Sequence, residues 1–255
     1  MRFKIILSLL TIAVIGWGVW WWIASSAQKA GLEGWLDARR ADGWQAEALS
    51  VDVAGFPNRL DARLSGLRLA DPVSGWAWEA PFFDIYQIVY NPSEVIAVWP
   101  PEQRIAAPGA RATVRSEVMR ASAKFALAET LAVERNSVEI TNGAVAADAG
   151  WTAGVSRYNH HIRLAPEAGP ENAYEFIASA ENLRPPDYLR SRIDPAGALP
   201  PSIELIKLEG KAAFDRPLDR FALEGAKPQV TALSLKPSEA KWGELALTLS
   251  GAIKA

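Results

Sequence analysis

The 255-residue chain has no cysteine, so it can form no disulfide framework and offers no thiolate as ligand or nucleophile. Histidine is nearly as scarce: His160 and His161 are the only two, side by side in "SRYNHHIRLA". On a strand, consecutive side chains point to opposite faces, so these two do not share one metal ion without distortion; one belongs inside or at a rim and the other in water. An excess of charge of one sign is missing too. Twenty-seven basic residues stand against 29 acidic ones, with no basic run, which removes the electrostatic footprint of a nucleic-acid binder. The stretch "APGARATVR" from Ala107 lacks the lysine that a phosphate-cradling loop needs, and no "GxSxG" elbow marks a serine hydrolase. Among so many carboxylates, a pair such as Glu79 and Asp84 is expected by chance. These absences lead us to expect a protein that is not an enzyme, with no catalytic residue, no cofactor, no metal site and no nucleic-acid partner.

What the chain has in quantity is apolar surface. After "MRFK" it runs uncharged from Ile5 to Gln28, and Ile5 to Ala24 is apolar apart from Ser8, Thr11 and two glycines. As a helix, twenty residues span roughly 30 Å, one hydrocarbon crossing. Arg2 and Lys4 precede it, which by the positive-inside bias keeps the N-terminus cytoplasmic and sends the rest across. Trp17, Trp20, Trp21 and Trp22 crowd the outer end, where indoles favour the headgroup layer. The alternative is a cleavable signal peptide with "SSAQ" at Ser25 to Gln28 as its cleavage region. The run exceeds a signal core of about 7–15 residues, and tryptophans at its exit suit an anchor better. Setting aside Arg2 and Lys4 leaves 25 basic and 29 acidic residues, so the exported body has no electrostatic attraction to an anionic bilayer.

In "AQKAGLEGWLDARRADGW", Leu32, Trp35, Leu36 and Arg39 fall at helical spacing. This predicts a short amphipathic helix, weakened by Gly31 and Gly34, that packs over a sheet rather than along the membrane. From Leu49 the period becomes two. Leu49, Val51 and Val53 alternate with Ser50 and Asp52. Leu60, Ala62 and Leu64 alternate with polar residues until Gly66, after which Leu67 and Leu69 carry the apolar parity, the signature of a bulge or a tight bend. "GFPN" at Gly55 to Asn58 makes the turn between these strands. Further strands are expected at 76–80, 83–90, 94–99, 110–117, 122–130, 137–140, 151–165, 173–183, 203–215, 221–224, 229–236 and 241–253. Turns are expected at "NP" (Asn91), "NG" (Asn142) and "PEAGPEN" (from Pro166). Helical turns are expected at "PPDYLRSRI" and, less clearly, "SEVMRASAK". Weak echoes ("LEGK" at Leu208, "LEGAK" at Leu223; "SGLRL" at Ser65, "SGAIK" at Ser250) have irregular periods and establish no solenoid.

The expected fold is mainly β: a transmembrane anchor over residues 1–26, an amphipathic helix or linker over 27–47, and a periplasmic β domain over 48–255. That domain is a long curved antiparallel meander, groove-like or a half-barrel, with the helix packed on it. The stretch "GWAWEAPFFDIYQIVYNPSEVIAVWP" from Gly75 concentrates the aromatic residues. Trp76, Trp78, Phe83, Ile85 and Val89 are the candidates for an apolar groove that holds an acyl chain, the alternative being that they simply fill the core. The alternating "WGELALTLSGAIKA" ends on a bare strand, which leads us to expect either further chain past Ala255 or a partner over that edge.

The order "GFPNRLDARLSGLRLADP" then "GWAWEAPFFDIYQIVYNPSEVIAVWP", behind a single apolar segment, resembles a bacterial family known as domain of unknown function 2125, over nearly the whole chain. The "W-x-APFF...YNP...VI..WP" core carries the likeness. That family has no assigned activity, and its members usually run some tens of residues longer, which favours a truncated chain. More distantly, the anchor, "GFP-x-R-x-D" and strand-glycine units look like AsmA-like envelope proteins, whose β-sheets form hydrophobic grooves implicated in lipid movement. These resemblances imply a single-pass protein of the bacterial inner membrane that binds or helps transfer lipid. Its expected partners are the membrane, lipid and another envelope protein. The alternative is a scaffold that pairs its sheet edge with an envelope protein.

Overall fold

A computed structural model describes residues 2–166, 172–224 and 227–254. The expected turn "PEAGPEN" and the glycine of "LEGAK" fall largely outside them. The chain opens with one helix, α1 (Arg2–Ala41), where two had been expected. Gly31 and Gly34 do not break it, because the C-terminal half is held by packing, which outweighs about 1 kcal/mol of unfavourable propensity per glycine.

Most of the remaining described chain is one antiparallel sheet. Its strands are β1 (Gln45–Glu47), β2 (Ser50–Ala54), β3 (Arg59–Asp71), β4 (Trp76–Ile88), β5 (Asn91–Val98), β6 (Glu102–Ala107), β7 (Ala110–Arg115), β8 (Val118–Phe125), β9 (Val133–Ala147), β10 (Thr152–Leu164), β11 (Ala173–Leu183), β12 (Ile203–Phe214), β13 (Val230–Trp242) and β14 (Leu245–Lys254). Two short helices interrupt it: α2 (Asp187–Ile193) within the expected segment, and α3 (Phe221–Glu224) where a strand had been expected. Asp219 explains the latter, its Oδ1 accepting from the backbone N–H of Phe221 at 3.0 Å and of Ala222 at 3.2 Å, an N-terminal cap.

The connectivity is a plain meander. β5 and β6 both run antiparallel to β4, one on each half of it, and β7 and β8 do the same along β9. Each pair is thus one long strand broken once, at Trp99–Pro101 and at Ser116–Glu117. Trp99 N–H donating to Met119 O and Ser116 N–H donating to Pro101 O, both at 3.0 Å, stitch the breaks together. "SEVMRASAK" accordingly lies on β8 rather than in a helical turn. "NG" is likewise no turn. Asn142 sits inside β9 with φ of 49°, its Nδ2 donating to Glu117 Oε2 at 2.7 Å, so β9 runs on through it. Pro81 is tolerated inside β4 because its flank is where the neighbour changes from β6, last paired at Glu79, to β5, first paired at Asp84.

Gly66 lies opposite Pro81 with φ of +57°, and a Cβ there would sit 2.5 Å from Leu49 Cδ1. Before it Leu60, Ala62 and Leu64 are buried; after it Leu67 and Leu69 are. The parity flip read in the sequence is therefore a bend at the positive-φ Gly66 that keeps both halves of β3 facing the core, while the pairing with β4 continues without a register shift. That core joins Leu36 of α1 to Ala46, Val51, Leu64, Leu67 and Leu69.

Candidate functional site

The five groove candidates all lie on or beside β4, and most of them face the helix. Trp78, Phe83 and Ile85 pack against the buried cluster under α1. Trp78 Nε1–H donates to the buried Gln103 Oε1 at 2.6 Å, and Phe83 lies edge-on to Trp78 and tilted against Trp99, with centroids 5.3 and 5.1 Å away. Val89 is buried at the β4–β5 turn, its N–H donating to Asn58 O at 3.0 Å. Trp76 stays partly exposed, 6.2 Å from Trp44. In this part of the sheet the candidates adjoin the core that includes Leu36 of α1.

Further along, the same face is left open. In an antiparallel ladder, paired residues point to one side. One row runs Ala62, Ile85, Ala97, Ala121, Val138, His160, Ala178 and Leu208 from the helix-covered core outward. The next runs Met119, Ile140, Tyr158, Ala180, Ile206, Ala240 and Leu247 to the last strand. Among the described residues no helix packs extensively over these rows from β10 onward. Leu208, Leu245, Leu247 and Leu249 are exposed there. Gly210 helps form this floor: paired with Phe176, it lets that ring lie close, since a Cβ would come 2.9 Å from Phe176 Cζ.

Both ends of the open floor are closed. At one end Tyr174 is buried edge-on to Phe214, its hydroxyl donating to Val133 O at 3.1 Å, while Val133 N–H donates to Leu218 O at 2.7 Å. At the other, buried Trp242 donates through Nε1 to Pro200 O at 2.7 Å, and Tyr188 of α2 packs edge-on to Trp151. Between Tyr174 and Asn182 the floor is about 26 Å long at ~3.3 Å per residue, more than one leaflet's half of a ~30 Å hydrocarbon core.

The polar members of this face satisfy one another. His160 Nε2 lies 2.8 Å from Asn136 Oδ1, and its Nδ1 is 3.4 Å from Tyr158 Oη. Burial, then the neighbouring His161, pushes the His160 imidazole below its ordinary value. His161 is exposed on the opposite face, its Nδ1 2.8 Å from Ser137 Oγ. Among the described residues no group of three His, Asp or Glu could hold a metal ion.

That opposite face is charged. Arg120–Glu139, Arg135–Glu94, Arg163–Glu175 and Lys211–Glu175 cross its ladders. Asp84 is the exception to its exposure: buried, it accepts both Arg63 Nε–H and Nη2–H at 2.7 Å and the Tyr86 hydroxyl at 3.0 Å. The bond to Asp84 raises the Arg63 guanidinium above its ordinary value, and burial, then Asp84, raises Tyr86. Glu79 is exposed five residues away, so the two carboxylates do not form a pair. Depressions of about 670 Å³ (with Arg68, Glu79 and Arg104 in its wall) and 550 Å³ (with Arg115 and Arg184) follow the strand breaks rather than the apolar rows.

The four anchor tryptophans divide by role. Trp17 and Trp21 donate through Nε1 to Pro57 O and Arg59 O, both at 2.8 Å, while Trp20 and Trp22 are exposed. Sequence reasoning missed this clamp because its acceptors are backbone carbonyls; "GFPN" signalled the turn but not its partner. Phe3–Ala41 is the one described helix long and apolar enough to span a membrane.

Residues 20–255 match the family described as "Uncharacterized protein conserved in bacteria (DUF2125)". The chain belongs to that family. In this DUF2125 protein the match takes in Trp21 of the tryptophan clamp, the covered core and the open floor, and begins after Trp17. No curated protein matches the chain, and no solved structure does.

Proposed function

We propose that this DUF2125 protein is a membrane-anchored periplasmic protein of the bacterial inner membrane that binds lipid, or helps transfer it, on the open apolar face of its sheet. The observation that carries the reading is the continuation of the core rows beyond the helix, ending in exposed Leu247 and Leu249. A contiguous apolar surface exposed on a folded protein marks a binding site more often than chance would. Arg2 and Lys4 before the apolar run support a cytoplasmic N-terminus and a periplasmic sheet. The likeness to AsmA-like envelope proteins is one of architecture, an anchor followed by a meander with an apolar face. Detergent-extracted full-length protein, compared by native mass spectrometry with an Ile206→Glu, Leu247→Glu variant, tests it. We expect the wild type to retain phospholipid in excess of the variant; equal adducts in both contradict the reading.

One observation favours a second reading, an envelope scaffold. Among the described residues β14 has a ladder partner on one side only, and an unpaired edge can take a strand from another protein. Equal lipid adducts would move the balance to it.

A further inference from the structure

The tryptophan clamp fixes where the sheet stands relative to a bilayer. The apolar run ends at Ala24, yet Trp17, seven residues earlier, is the one bonded to Pro57 O. At about 1.5 Å per residue the β2–β3 turn therefore lies alongside roughly the last 10 Å of that run. Were the turn outside the membrane, only Phe3–Gly16 would remain to cross, about 21 Å of helix against a hydrocarbon core of about 30 Å.

The turn has the composition for the other outcome. Phe56 is 58 % exposed while its ring packs edge-on against Trp21, 5.5 Å between centroids. The neighbouring β4–β5 turn, joined through Val89 N–H to Asn58 O, presents Tyr90 at 70 % exposure, and Leu127 stands out from the β8–β9 loop at the same end. Arg59 and Asp61 pair with each other at the level of Trp21, where headgroups accommodate charge.

We infer that the Phe56–Asn58 turn and the adjoining Tyr90 turn are inserted into the outer interfacial layer of the bilayer, so that this rim of the sheet rests on the membrane. The occupant of these apolar tips is the lipid surface itself. The inference rests on α1 crossing the bilayer and is independent of whether the open face binds lipid.

The absence of cysteine gives a direct test. Full-length protein in phosphatidylethanolamine–phosphatidylglycerol nanodiscs would carry one nitroxide at a time, at Phe56→Cys, Tyr90→Cys or Leu127→Cys. Val73→Cys, on the opposite rim, is the aqueous reference and Val14→Cys the hydrocarbon one. All but Val14 and Leu127 lie in turns or at their edges, and all are exposed, so the fold tolerates the label. We expect labels at 56 and 90 to lose relaxation by an aqueous nickel chelate relative to Val73→Cys and to gain relaxation by oxygen. Labels at 56 and 90 as open to the chelate as Val73→Cys, with Val14→Cys in hydrocarbon, overturn the insertion of the rim. Val14→Cys in water overturns it through the anchor instead.

Discussion

The two halves of the sheet are built from the same alternating pattern but meet different fates. Around β3 and β4 the apolar face is sealed by α1, and its residues interlock as a core. Around β12 to β14 the same face has no facing layer among the described residues, and its leucines remain exposed. The outer faces differ in parallel. Near the helix, Asp84 is buried in a bidentate pair with Arg63; further along, pairs such as Arg163–Glu175 stay in water. The comparison teaches that period-two alternation specifies which side of a sheet is apolar, while what covers that side is decided elsewhere in the chain.

Substitutions can break this contrast. Leu67→Ala, under the helix, is expected to cost about 2–5 kcal/mol in denaturant unfolding, since it opens a cavity in a packed region. Arg63→Ala leaves a buried carboxylate without its partner and should cost about 1–3 kcal/mol. In the open half, Ile206→Ala is expected to cost only about 1 kcal/mol, because a half-buried side chain gives up roughly half of its transfer energy. Arg163→Ala should fall below about 1 kcal/mol, the range of exposed pairs. An Ile206→Ala loss as large as that of Leu67→Ala would abolish the distinction.

The smallest effect is a pH dependence. His160 titrates below its ordinary 6.5 in the folded protein. Between that lowered value and 6.5 the unfolded chain holds more protons, so stability should fall as pH drops through 6.5 and level off below the folded value. His160→Asn should flatten that segment of a stability-against-pH curve.

The fold was legible wherever alternation was unbroken. β3, with its flip at Gly66, and β11 stand where the pattern put them. Two of the failures share a physical cause: a local turn signal overridden by neighbouring strands. "NG" at Asn142 reads as a hairpin, but ladders on both sides carry β9 through it. β6 was overlooked because "PPEQRIAAP" is bracketed by prolines, although those prolines sit at a break and a turn rather than in its ladder. The site was less legible. Tryptophan density drew attention to β4, whereas the open surface is made of modest residues such as Ala178, Ile206 and Leu247, whose common face emerges only from register. Nothing in their sequence spacing reveals that no helix covers them.

The measurement that bears most directly on the account is photocrosslinking of the full-length protein in vesicles that contain a phospholipid with a diazirine in its acyl chain. We predict crosslinked peptides from β11, β12 and β14 carrying Phe176, Ile206 or Leu247, in addition to those from α1. Crosslinks confined to the Ile5–Ala24 segment of α1 would contradict it.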